Sequence, residues 1–356
     1  MLTRADYTAM KKTKRLMMKR FSFMLLVFAG FLHSANAVQI QNQNQNQDQY
    51  QDERLQSGLL AVVNKSDDSI SIIDVNEKRI IKTLPTGKGP HELVMSEDQK
   101  WAVSTDFVGG DSLTVFDLNA LEVARTIPLA SLPGPHGATF LKDNERIIFT
   151  SGKAKHLGIA NVVTGKITNK IATAQDTTHM VTLSNDESVA YATNIGSNSI
   201  SIVNMSNQKL LKNMPTLSMP EAINFRKSAE ELWYGANKEG KLVVVDPETE
   251  AVLATWSGFS FPYRVLFNHD ESVAMVPDFR KHYIRFFDAT NKKELGTLAL
   301  EKEAGPQGIT MHTDHDIAFL SLNLKNKIVA IDIHTQQVIA EFPTGNNPDG
   351  VIFISR

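Results

Sequence analysis

The 356-residue sequence has no cysteine. That excludes disulfides, a lipid-modified N-terminal cysteine and the Cys-x-x-Cys-His attachment of covalent haem. Stability has to come from an apolar core, and 42% apolar residues are enough to bury one. After the first 37 residues there is no apolar stretch of membrane length, so no further span is expected. Also missing are a Gly-x-Ser-x-Gly elbow, a His-Glu-x-x-His pair and a phosphate loop, the short motifs that announce common chemistries. Excess positive charge is lacking too. The segment up to residue 37 holds seven basic residues and one acid, so its removal takes the formal charge from −2 to −8. A chain of that sign is poorly suited to nucleic acid, whose nonspecific binding rests on Lys and Arg neutralising phosphates.

The N-terminus carries a basic stretch, Lys11 to Arg20, an apolar run from Phe21 to Leu32, and then Ala35-Asn36-Ala37. This order reads as a signal peptide over 1–37 with the cut after Ala37, and implies a periplasmic or secreted protein. The run is shorter than the roughly 20 residues of a stable span, which argues against the alternative of an uncleaved anchor. Met10, Met17 and Met18 are alternative starts that leave positive charge ahead of the run. Residues 38–57 are mostly Gln, Asn and acid, too poor in apolar surface to offset the entropy of ordering, and are expected as a flexible leader.

From residue 58 to 356 the chain repeats a unit of four short strands. The register is clearest at an Asp or Asn ending one strand of each copy: Asp74, Asp117, Asn161, Asn204, Asp246, Asp288 and Asp332, in steps of 42 to 44. A side-chain carbonyl there can accept a backbone N–H two residues on and fix the turn. Strands such as Ile70-Ser71-Ile72-Ile73 and Leu242-Val243-Val244-Val245 show buried-sheet patterning, and no stretch carries apolar residues at helical spacing over a core helix's length. Seven such copies predict an all-β, seven-bladed β-propeller of four-stranded blades. The first strand met, Leu60 to Asn64, is in phase with a blade's second strand, and Gly350 to Ser355 with its innermost one. The C-terminal strand is therefore expected to close the ring by joining the N-terminal blade.

Tyr191-Ala192-Thr193-Asn194, followed by Gly196 to Val203, resembles the YVTN repeat unit, as do Ala61-Val62-Val63-Asn64 and Leu320-Ser321-Leu322-Asn323 with the strands after them. The chain is similar to the YVTN-repeat, YncE-like, seven-bladed β-propeller family over nearly all of residues 58–356. The resemblance implies the fold and says little of activity, because this architecture hosts unrelated functions.

A second periodic slot carries polar residues at the start of each innermost strand, mostly after Pro: His91, His136, His179, Glu221, Tyr263, Gln307 and Asp349, with Arg264 following Tyr263. In a propeller these positions converge on one mouth of the central channel. The order of these pairs matches a group within the family, so the resemblance implies a shared pattern without a reaction. His91, His136 and His179 fall on consecutive blades with Glu221 next, a donor set that suits zinc or copper. Direct ligand contact without metal, or a plain polar rim, are the other readings. Arg264 is expected to pair with Glu221 or Asp278, or else to grip an anionic ligand. His269, His312, His315 and His334 are expected as solvated surface residues.

Three functions remain open from the sequence. The first is a monomeric, noncatalytic binding module for a small molecule or a protein at the channel mouth. The second is a lactonase- or lyase-type enzyme, as other seven-bladed propellers suggest, with His136 or His179 as base, Glu221 as acid or metal ligand and Arg264 on a carboxylate. The third is a zinc or copper carrier. A mouth plugged by side chains favours the first.

Overall fold

A computed structural model describes residues 52–356; the predicted signal peptide and all but the end of the leader lie outside the described residues. Arg54–Arg356 form one compact unit of seven four-stranded antiparallel sheets. Blade 2 is typical, with strands Pro90–Met95, Trp101–Asp106, Ser112–Asp117 and Glu122–Pro128 running outward. Its middle strands are buried on both faces, while the fourth alternates towards solvent. The reason is stacking. Each of seven apolar clusters sits between consecutive blades, so the second and third strands have a neighbour on either side.

The ring closes as the phase of the repeat requires. Pro348–Ile354 pairs antiparallel with Leu59–Asn64, matching Leu60 to Phe353 and Val62 to Val351, and supplies blade 1 with its innermost strand. The Asp/Asn slots are turn caps: Asp74 accepts the N–H of Glu77 (2.8 Å), Asn161 that of Thr164 (2.7 Å) and Asp332 that of Thr335 (2.8 Å). The bonds reach two or three residues on.

Two expectations need correcting. The leader does not run to residue 57. Leu55 is buried between blades 7 and 1, and Arg54 reaches Asp332 at 2.6 Å, so the ring takes up the chain from Arg54. His312 is no surface residue. Its ring lies 4.1 Å from that of Phe353, on the closing strand, and its Nδ1 accepts the Asp314 N–H. A rim imidazole is an economical way to cover Phe353 while satisfying a turn.

That burial makes acid sensitivity predictable. Burial, and next the His315 imidazole, hold the His312 pKa down at about 4, with Asp314 opposing and His269 adding slightly. The neutral ring is thus the folded form, and its contribution is whole above the unfolded value near 6.5. It drains away as pH falls from there to 4. With solvent screening near the rim, the cost is on the order of 1–2 kcal/mol. His312→Gln should flatten the fall in Tm over that window; an unchanged slope would assign the acid sensitivity elsewhere.

Candidate functional site

The start of the innermost strand is bulged in six of the seven blades, and the bulge builds the site. In blade 2 the pairing passes from Pro90–Asp106 to Leu93–Ser104, so His91 and Glu92 together oppose Thr105, whose Oγ1 accepts the Glu92 N–H (3.1 Å). Blades 3 and 4 repeat this with Thr150 and Thr193. The same hydroxyls donate to the mouth residue of the next blade: Thr150 to the carbonyl of His179 (2.7 Å) and Thr193 to that of Glu221 (3.1 Å). Ser321 does so to Asp349 (2.5 Å). Consecutive mouth residues are thereby held in fixed relation. Backbone approach is close as well: a Cβ on Gly137 would come within 2.6 Å of Met180 Cα, and one on Gly350 within 2.4 Å of the Leu93 nitrogen.

Seven of the eight expected residues are joined by direct contacts at the mouth, Gln307 holds the same register position in the seventh blade, and all but His179 are buried. His136 is sandwiched between two imidazoles, with ring centroids 4.1 Å to His91 and 3.6 Å to His179. Phe107, from the loop between the second and third strands of blade 2, sets its edge against both His91 and His136. His91 Nδ1 faces Glu92 Oε1 (3.1 Å) and Asp349 Oδ2 (3.3 Å), and the latter oxygen also meets Lys65 Nζ at 2.7 Å. On the far side His179 Nε2 stands 3.6 Å from Glu221 Oε1, while Asn237 Nδ2 donates to Glu221 Oε2 (2.6 Å).

The channel is crossed twice. Tyr263 in blade 6 donates its hydroxyl to Asp349 in blade 1 (3.1 Å). Arg264 lies over the Tyr263 ring at 4.1 Å and bonds its guanidinium to Glu92 Oε1 in blade 2. The expected partners of Arg264 were Glu221 or Asp278. Asp278 is instead occupied by the backbone N–H groups of Ser260, Phe261, Arg280 and Lys281. Blade 6 has an innermost strand of only two residues, Leu266–Phe267, so the segment before it is free to lean across the axis.

Electrostatics follow from this packing. Burial opposes ionisation of Glu92, but the Arg264 guanidinium and then His91 outweigh it and bring its pKa down to about 2. Burial lowers His91 against the pull of Asp349, and lowers His136 well below the usual value, with the flanking His179 and His91 adding to it. Burial, then the Asp349 carboxylate, push the Tyr263 phenol well up. Glu92 is therefore a fixed anion beside neutral imidazoles.

The donors that converge are not the three histidines. Donor atoms of His91, Glu92 and His136 lie within 4.8 Å of one another, and these three form the only such metal-capable group among the described residues. His179 stacks on His136 and turns its Nε2 to Glu221. Glu92 was missed because alternation along a regular strand would point it away from His91; the bulge cancels that alternation. One signal was available. Glu92 and Arg264 are the two charged residues at the position after the mouth slot, and they carry opposite signs.

A closed seven-bladed ring of four-stranded sheets with a polar, histidine-lined mouth defines a β-propeller. The YNCE-like beta-propeller family profile matches residues 54–234, just over half of the chain, and the chain belongs to that family. The curated proteins yield no match. Among solved structures, a functionally unknown protein from Desulfotomaculum acetoxidans is similar at a TM-score of 0.71 and 12% identity, over 84% of this chain and 99% of that one. Kuenenia stuttgartiensis hydrazine synthase is similar at 0.66 and 12%, over 80% and 92%. Dihydro-heme d1 dehydrogenase NirN in complex with DHE follows at 0.61 and 15%, over 85% and 76%. At such identities these likenesses show the fold alone.

Proposed function

We propose that the protein is an exported, noncatalytic binding module whose channel mouth takes a small cationic or hydrogen-bond-donating ligand. One observation carries the reading. Of five buried side-chain polar atoms without a partner among the described residues, four belong to this mouth: His136 Nδ1, Asn237 Oδ1, Gln307 Oε1 and Asp349 Oδ1. Buried polar atoms are nearly always satisfied by protein or ordered water, so a cluster of orphans marks a place where water or a ligand sits. Three of the four are acceptor oxygens and call for donors or a cation.

The enzyme reading loses a part. Arg264 is buried, with its guanidinium bonded to Glu92 and to the Tyr263 carbonyl, so it is poorly placed to grip a substrate carboxylate. The cross-channel bonds also tie opposite sides of the mouth together, which suits binding at a rigid rim. Export is supported by the basic stretch, the apolar run and Ala35-Asn36-Ala37; no helix among the described residues is long and apolar enough to cross a membrane.

A residue kept for binding at the expense of stability has a recognisable signature. Gln307→Met removes an unpaired buried amide oxygen at similar volume, and should raise the ligand-free Tm by a few degrees, about 1 kcal/mol. The same variant should lose the thermal shift that one or more small amines, amides or metal salts in a screened panel give the mature protein. A lowered Tm together with no panel compound shifting the wild type would refute the reading.

A further inference from the structure

We infer that the mouth ligand is a divalent transition-metal ion of the zinc or copper kind, held by His91, Glu92 and His136; this rests on the reading of the mouth as a binding site. Each donor is prepared by its surroundings. His91 Nδ1 faces Glu92 Oε1 at 3.1 Å and Asp349 Oδ2 at 3.3 Å, so an ion bound there would take the place of the proton shared with these carboxylates. Both bonds made to the Glu92 carboxylate, from Arg264 and from His91, fall on Oε1, so Oε2 is left to coordinate. His136 has a buried Nδ1 with no partner at all.

The chemistry of the set selects the ion. Two imidazole nitrogens and one carboxylate oxygen suit borderline divalent ions and disfavour calcium and magnesium, which take oxygen shells. Zinc ligands at about 2.0–2.2 Å stand roughly 3.3 Å apart around a tetrahedral ion. One donor atom from each of the three lies within 4.8 Å of the others, so the set needs to draw in by at most about 1.5 Å, within reach of side-chain rotation. His179, stacked on His136 and tied towards Glu221, is a positioning residue that sets the plane of the His136 ring.

A second histidine cluster provides the control. His269, His315 and His334 line a cavity of about 370 Å³ at the other end of the innermost strands, with His334 Nε2 3.0 Å from Asp316 Oδ2. Its donor atoms do not converge as the mouth's do.

The test is titration of the chelator-stripped mature protein with Zn²⁺ by calorimetry, and with Cu²⁺ by electron paramagnetic resonance. The expected result is about one equivalent of Zn²⁺ and hyperfine structure from two nitrogens. His136→Ala should weaken Zn²⁺ binding at least tenfold and leave one nitrogen. It removes no hydrogen bond, and circular dichroism checks its fold. His315→Ala/His334→Ala should bind as the wild type. No Zn²⁺ or Cu²⁺ bound by folded wild type overturns the inference, as does binding that survives His136→Ala and falls in the double variant. If metal fails while a panel amine or amide still shifts the wild type but not Gln307→Met, the binding module stands without its metal. If both fail, both readings fall.

Discussion

Deleting Val351 to Arg356 should abolish the cooperative melt of the native ring. The four residues Val351, Ile352, Phe353 and Ile354 are buried to 5% or less exposure and belong to the clusters on both sides of blade 1. At about 1.5–3 kcal/mol for each buried apolar side chain, their loss amounts to roughly 6–12 kcal/mol. That equals the whole stability of an ordinary domain, about 5–15 kcal/mol. The deletion also strips the ladder partner from Leu59–Asn64, leaving a long apolar edge open to pairing with other copies. Calorimetry should show the main transition lost or lowered by tens of degrees, with soluble aggregates by size-exclusion chromatography. A truncated protein melting as the full chain does would mean that closure contributes little. Phe353→Ala is the milder version, with an expected cost of about 3–5 kcal/mol through lost contacts to Phe319 and His312.

The closing strand was legible in the sequence because it follows from counting. Turn-capping Asp and Asn residues recur at a nearly constant step, and the phase at the first and last copies dictates which strand lacks a partner. The mouth was legible for the same reason, since one slot per repeat must converge on the axis. What a repeat count cannot reach is contact across the ring. Arg264 and Glu92 are 172 residues apart and bond only because blade 6 shortens its innermost strand while blade 2 bulges its own. The register pattern says where each residue starts and is silent on how far a long side chain leans. His312 escaped for a related reason: a polar residue in a turn reads as solvated unless one knows that the closing strand brings Phe353 against it.

The cross-channel ion pair should be the costliest polar contact in the ring to break from one side. Arg264→Met, measured in chelator, is expected to destabilise the protein by about 3–5 kcal/mol, because Glu92 is left as a buried charge without its cation. Glu92→Gln/Arg264→Met removes both charges at similar volume, and should regain most of that loss, since a well-packed neutral pair is often as stable as a buried ion pair. The cycle of single and double variants isolates the coupling from the packing change at Tyr263, on whose ring the guanidinium lies. A double variant no more stable than Arg264→Met would mean that Arg264 acts through that stacking and not through charge. The metal adds a further expectation to the same variant. With the guanidinium gone, the carboxylate of Glu92 has one cation left to take, so Zn²⁺ should raise the Tm of Arg264→Met by more than it raises that of the wild type. An equal shift in the two proteins would place the ion away from Glu92, and the plug and the binding site would then be separate features of the same mouth.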